Sequence, residues 1–362
     1  MRRRYRRERG TKVVKRILQG VGVLILLALF VIAGSVVRFD KSKEELLPKY
    51  ANEASQFITL PDGAVAHVRD QGNKTGPVLV LIHGSNASLH TWEPWARLLG
   101  GSYRVVTMDM PGHGLTGAVP NDDYSRTGMV TFVHEVTQRL GLTRYALGGN
   151  SMGGGVAAQY AESFPDEVAA LVLVDAAGIP RKPQPGGKIP LAFRLAQIPV
   201  LNKILLYVTP RSMIAEGLHK VFVDQSKVTD EMVERYYDLT LYDGNRRATG
   251  IRFRLPPDDG AVAEQLGAIK APTLILWGDK DGLIPVEYAG EFAKRIPGSK
   301  VVIYPDVGHI PMEEVPEKSA ADVAAFLGLT FAAEAAGMPP VPVETAPVHH
   351  DGKIEVMPIS PE

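Results

Sequence analysis

Short apolar runs and longer amphipathic stretches alternate along most of the chain. QFITL (56–60) and AVAHVR (64–69) flank Pro61-Asp62-Gly63, a turn signature that predicts a hairpin. Six runs with almost no charged residues follow: VLVLI (78–82), YRVVTM (103–108), YALG (145–148), LVLV (171–174), TLILW (273–277) and VVIY (301–304). A strand covered on both faces must be apolar on both, so uninterrupted runs of this kind point to a buried parallel sheet. Helical periodicity fills most of the gaps, for example around Trp92–Leu99 and Met129–Leu140. An antiparallel start followed by βα repeats predicts an α/β fold with a mostly parallel sheet and helices on both faces.

The alternation fails in five segments, and these breaks set the expected domains. Residues 1–16 form a basic segment with nine Arg or Lys against one Glu. Residues 17–37, ILQGVGVLILLALFVIAGSVV, carry no charge over 21 positions, about 30 Å as a helix, the hydrocarbon thickness of a bilayer. Arginines before this stretch and a mixed flank after it predict a single-pass anchor with a cytoplasmic N-terminus and an extracytoplasmic catalytic domain. The competing reading is a secretory signal cleaved near Ala33 and Ser35. Residues 38–55 read as a polar stalk with a short helix. The core is expected in two parts, 56–177 and 271–329. Between them, 178–270 carries amphipathic segments (LAFRLAQI, LNKILLYV, TDEMVERYYDL) and no strand signal, and reads as a helical cap. Residues 330–362 are rich in Ala, Pro and Glu and read as a disordered tail.

Composition narrows the chemistry. The chain has 362 residues and equal numbers of basic and acidic ones, so the basic N-terminus leaves the remainder acidic, and nucleic acid is not an expected partner. There is no cysteine, which excludes a thiol nucleophile and cysteine-ligated metal.

YALGGNSMGGGVA runs from an apolar strand into a glycine-rich helix start, and Gly149-Asn150-Ser151-Met152-Gly153 fits the G-x-S-x-G turn. Such a turn lifts a serine hydroxyl off the sheet edge, and its flanking positions must tolerate close backbone approach, which glycine does. A serine needs a base. Of nine histidines, His309 follows the last apolar run, on the sheet edge where parallel α/β proteins place their sites. An acid must orient that base. Asp281 and Asp279 both follow TLILW; Asp281 lies further into the loop and is preferred, with Asp175 as a third candidate. The backbone amides of Met152 and Ser85 are the expected oxyanion donors. His83 reads as a loop-shaping hydrogen-bonder, and Asp109 to Gly114 as structural support. Beyond these residues no histidine or carboxylate spacing suggests a metal site.

At this point the chain resembles the α/β-hydrolase superfamily over roughly residues 55–328. HGSNAS (83–88), DMPGHG (109–114), GNSMGG (149–154), WGDKDGLIP (277–285) and GHIPMEEVPE (308–317) carry the likeness. It implies an eight-stranded sheet, a cap after the sixth strand, a Ser-His-Asp mechanism without cofactor, and Asp281 as the acid. Serine at the turn argues against haloalkane dehalogenases and epoxide hydrolases, which resemble this chain but carry Asp there. GNSMGG is similar both to lipases and esterases and to C–C bond hydrolases of meta-ring-fission products. The latter often carry HGGGPG where this chain has HGSNAS, which favours a carboxylic ester as the small-molecule substrate. A C–C hydrolase or an acyltransferase is the alternative. In the cap, Phe193, Leu205, Tyr207, Phe222 and Tyr236 are candidates to line an acyl pocket, although plain cap core is the simpler reading for most of them.

Overall fold

The computed structural model describes residues 16, 18–24, 27, 34, 37–180, 207–256 and 259–338. Eight strands form one sheet: β1 Ser55–Thr59, β2 Val65–Gly72, β3 Val78–Ile82, β4 Arg104–Met108, β5 Tyr145–Asn150, β6 Val168–Val174, β7 Thr273–Gly278 and β8 Lys300–Tyr304. Their order is β1-β2-β4-β3-β5-β6-β7-β8. The β1–β2 and β2–β4 pairs are antiparallel, and every later pair is parallel. The predicted α/β class, the hairpin and the apolar strands are all present.

Strand residues alternate between two cores, as the two-residue period of a strand dictates. Val80, Ile82, Leu171, Leu173, Ile275 and Trp277 enter one, which also holds Val133 and Val136 of α3 (Arg126–Arg139) and Val156, Ala157 and Tyr160 of α4 (Met152–Ser163). Leu79, Leu81, Val172, Val174, Leu274 and Leu276 enter the other. There they meet Trp95 and Leu99 of α2 (Glu93–Leu99) and Val323 and Leu327 of the last helix. Each face of the sheet is thereby dry, which explains why the strands read as unbroken apolar runs.

Four helices follow β6 in the described residues: α5 Arg211–Val221, α6 Asp230–Thr240, α7 Asn245–Arg252 and α8 Asp259–Gln265. The segment TDEMVERYYDL corresponds to α6, opened by Thr229, whose side chain accepts from the Met232 amide. LAFRLAQI, most of LNKILLYV, Phe193 and Leu205 lie outside the described residues.

The stretch expected as a stalk does contain a helix, α1 Lys43–Tyr50, started by a Ser42–Glu45 capping box. It is bound to the fold rather than free. Asp238 of α6 is buried and takes Lys41, Lys49 (3.0 Å) and the Tyr50 hydroxyl (2.9 Å). Asp40 pairs with Arg246 of α7, and Leu46 is buried. After β7 come α9 (Glu287–Arg295), β8, α10 (Pro311–Glu314) and α11 (Pro316–Ala335). Helix α11 continues six residues into the expected tail, because FAAEA is strongly helix-forming and its Ala333 is buried. The rest of that tail, from residue 339, lies outside the described residues.

By contacts the chain divides in two. Asp40–Lys188 with Arg211–Glu362 make up the body above. Met1–Phe39 with Ile189–Pro210 make up the other unit, in which Val37 bridges Val208 and Phe39 faces the Tyr207 ring at 6.0 Å. Most of the predicted membrane segment 17–37 lies outside the described residues, and among the described residues no helix is long and apolar enough to cross a membrane.

Candidate active site

Strand β5 ends at Asn150, α4 starts at Met152, and Ser151 alone makes the turn between them. Its backbone has φ 52° and ψ −118°, a conformation that L-residues rarely adopt and that costs about 1–3 kcal/mol. Neighbouring backbone holds it there: the Ser151 amide donates to Val174 (3.0 Å), and its carbonyl accepts from Gly155 (3.1 Å) and Ala177 (2.9 Å). A Cβ on Gly153 would lie 2.3 Å from the Ile82 carbonyl oxygen, so the start of α4 fits against β3 only without one. Met152 opens α4, so its N–H is among the first-turn amides with no intrahelical acceptor.

His309 and Asp281 meet as a buried pair, Nδ1 to Oδ2 at 2.6 Å. The other Asp281 oxygen accepts from the Leu283 (2.7 Å) and Ile284 (3.0 Å) amides. The carboxylate is thus fixed by its own loop and turned toward the ring. Asp279 is elsewhere: it accepts from the Asp306 amide at 2.7 Å, a loop-closing role.

Asp175, the third acidic candidate, has its ligating atom within 4.8 Å of those of Asp281 and His309. It is wholly buried, at φ 44°, and accepts from the Gly278 amide at 3.0 Å. Burial and the Asp281 charge push its carboxyl well above the usual range, which favours the protonated form. Two aspartates and a histidine can ligate a metal. Here the Asp281 oxygens and His309 Nδ1 are already engaged in short hydrogen bonds, and the donor set does not favour a cation.

Asn150, to which the sequence reading gave no role, ties the serine turn to the histidine. Its side-chain amide donates to the His309 carbonyl (3.1 Å) and to Val174 (3.2 Å). Glu314 is a second such residue. One of its oxygens accepts from Gly308 (2.7 Å), the other from Val223 (2.8 Å) and Asp224 (2.6 Å) beyond α5. The His309 amide itself donates to Val221 at 2.9 Å. His309 therefore rests on a helix inserted between β6 and β7.

The loop after β3 approaches from the other side. A Cβ on Gly84 would stand 3.1 Å from the Ser151 Cβ, which places Ser85 next to the Ser151 turn. His83 is buried and shapes this loop: its Nδ1–H donates to the Gly84 carbonyl (2.7 Å), and Nε2 accepts from the Met110 amide (3.0 Å). Burial lowers its pKa and keeps the ring neutral, which suits those two bonds. Asp109 supports the same edge, accepting from Leu89 (2.7 Å), Leu115 (2.8 Å) and His67 Nδ1 (2.6 Å). Of the apolar candidates, Phe222 is core, Tyr207 is 44% exposed, and the Tyr236 hydroxyl donates to Glu313 at 2.9 Å. Arg252 of α7, unmarked in the sequence, reaches the Ser85 hydroxyl (2.5 Å) and the Met152 sulfur (3.4 Å).

An eight-stranded sheet of this order, with a strained serine turn at the carboxyl ends of its parallel strands, is the architecture of α/β hydrolases. The family model described as alpha/beta hydrolase fold matches residues 77–316; the chain belongs to that family and is a hydrolase. Lipase 1 of Psychrobacter immobilis is 28% identical over 305 residues, 80% of this chain and 87% of that protein. A 2-hydroxy-6-oxononadienedioate/2-hydroxy-6-oxononatrienedioate hydrolase of Comamonas testosteroni is 27% identical over 266 residues, 70% of this chain and 90% of that one. Among solved structures, a membrane phospholipase A described as a bacterial virulence factor aligns with a TM-score of 0.63 and 28% identity, covering 88% of this chain and 99% of that one.

Proposed function

We propose that the protein is a serine hydrolase that cleaves carboxylic esters through an acyl-enzyme on Ser151. The observation that carries this reading is the buried His309–Asp281 pair at 2.6 Å, tied through Asn150 to the strained Ser151 turn. Ser151 Oγ attacks the ester carbonyl while His309 Nε2 takes its proton. Asp281 keeps the remaining ring proton on Nδ1 and stabilises the imidazolium. The Met152 and Ser85 amides receive the oxyanion, each contributing about 3–4 kcal/mol to the transition state. Collapse expels the alcohol, which receives the proton from His309. Water then gives a proton to His309 and attacks the acyl carbon; collapse of this second intermediate breaks the Ser151 ester as His309 returns that proton to Ser151 Oγ, releasing the acid and free Ser151.

Similarity to lipases and the HGSNAS loop support the ester reading. Similarity to the Comamonas hydrolase supports a second one, C–C cleavage of a vinylogous diketone by the same residues. Turnover of p-nitrophenyl butyrate beside a ring-fission product separates the two. In the ester reading Ser151→Ala loses at least about a thousandfold in kcat and no longer reacts with a fluorophosphonate; normal turnover by that variant would sink the mechanism.

We also propose that residues 17–37 anchor the chain in a membrane, with residues 1–16 cytoplasmic and the catalytic body outside, and that 178–270 form a helical cap. The uncharged 21-residue run and its basic flank support this. An anchored chain stays with the membrane pellet after alkaline carbonate washing; release into the supernatant at full length or shortened near Ala33 would overturn it.

A further inference from the structure

Among the described residues, most half-buried or buried arginines have an acid beside them. Arg69 has Glu93 at 2.6 Å, Arg246 has Asp40, and Arg235 has Glu313 at 3.5 Å. Arg252, at the end of α7, has none. Its Nη2 donates to the Ser85 hydroxyl and its Nη1 faces the Met152 sulfur, both uncharged and the second a weak acceptor. The Phe253 ring lies 4.7 Å from the guanidinium carbon. Its Nε–H is shut off from solvent and has no hydrogen-bond partner. The nearby His83 and His113 rings are buried, and their pKa values are lowered chiefly by that burial and further by the Arg252 charge; an imidazole supplies no negative charge to pair with the guanidinium.

A cation withdrawn from water without an anion costs several kcal/mol. Burial pushes this guanidinium down to about 10, and no neighbouring acid pushes it back. The two side chains that it touches belong to Ser85 and Met152, the residues whose amides flank the reacting carbonyl in the proposed mechanism. A substrate held there brings its own atoms to the guanidinium, and a planar fork of donors matches a carboxylate or phosphate in two-point geometry.

We infer that Arg252 is a specificity-determining residue whose guanidinium binds an anionic group, carboxylate or phosphate, carried by the substrate next to its scissile carbonyl. That the substrate is an ester rests on the serine-hydrolase reading; the anion site does not. A carboxylate would come from a dicarboxylic half-ester, and a phosphate from the alcohol side, as in a phosphorylated glyceride.

The experiment compares three substrates with the full-length protein and its Arg252→Gln and Arg252→Lys variants: p-nitrophenyl butyrate, mono-p-nitrophenyl glutarate and 1-acylglycerol 3-phosphate. The expected result is a tenfold or greater fall in the anionic-to-neutral ratio of kcat/KM for Arg252→Gln, expressed mainly in KM, with partial recovery in Arg252→Lys. Whichever anionic substrate shows the fall identifies the source of the charge. An equal loss on all three, expressed in kcat, would make Arg252 a positioning group for the Ser85 loop and overturn the inference. Calorimetry of glutarate and of inorganic phosphate with Ser151→Ala provides a second readout independent of turnover. Binding that weakens at least tenfold when Arg252→Gln is added supports the site; no binding with Arg252 present overturns it. Competitive inhibition of butyrate turnover by glutarate, and not by valeramide, gives the same answer in the unmodified chain should the Gln variant fail to fold. Arg252-dependent binding without ester turnover would reject the ester reading alone. Ester turnover with an unchanged ratio would reject the anion site alone.

Discussion

Two buried aspartates carry opposite pH signatures. Burial alone would raise the Asp109 carboxyl, but the His67 ring overcomes it and holds Asp109 well below the ordinary range. Its folded-state pKa is depressed, so its contribution to stability is present above the unfolded carboxylate value, about 3.9, and is lost as pH falls through the folded one. Asp175 is raised, so its contribution is complete below about 3.9 and is lost as pH rises toward its folded value. Melting curves between pH 3 and 9 check both. Asp109→Asn is expected to be less stable than the parent by about 3–5 kcal/mol at pH 7, with the gap starting to narrow below about pH 4. Asp175→Asn is expected to gain on the parent as pH rises above 4. Parallel curves for parent and variant would remove either assignment. The Ser151 turn and the His309–Asp281 pairing were legible in the sequence, because a serine-hydrolase mechanism calls for those residue types at ordered places after strands. Asn150 and Arg252 were not legible, since an amide inside a motif and one arginine among several in RRATGIRFR carry no mark of what they face.

Elements that are buried on both faces declare themselves, which is why β3 to β8 were visible as apolar runs. The attachment of α1 was not visible: Asp238 gathers Lys41 and Lys49 from almost two hundred residues away, and polar residues with distant partners look like solvent-facing ones. The end of α11 is a related case: the helix-forming FAAEA run stands beside a Pro-rich stretch, and the packing that buries Ala333 is not written in the local pattern. At this scale the contact between α4 and β3 is a tight constraint, because the Ile82 carbonyl leaves no room for a Cβ on Gly153. Gly153→Ala is expected to push α4 away from the Ile82 carbonyl, destabilise the fold by about 1–3 kcal/mol and displace Ser151. Urea melts with activity measured in parallel would show both losses; an unperturbed, fully active variant would mean that the turn has slack that the 2.3 Å approach denies.

The whole chain pairs a basic, apolar beginning with an acidic hydrolase body, and its division into two contact units cuts across the sequence at Phe39 and again near residues 189–210. No local pattern announces such a division, because it depends on which distant segments touch. Within the body, His309, the proposed base, is held by parts of the chain that are far apart in sequence. His309 rests on Val221 through its amide, and Glu314 fastens Gly308 to the backbone after α5 with hydrogen bonds of 2.6–2.8 Å. The arrangement works as an interlock. Whatever lifts the end of α5, whether a bulky ligand, heat or denaturant, withdraws the backing of the histidine in the same movement. The enzyme is therefore expected to switch off before it comes apart. In a urea titration, ester turnover should vanish at a lower concentration than the circular dichroism of the sheet, and Glu314→Gln should widen that interval; coincident midpoints would mean that the histidine keeps its place without α5.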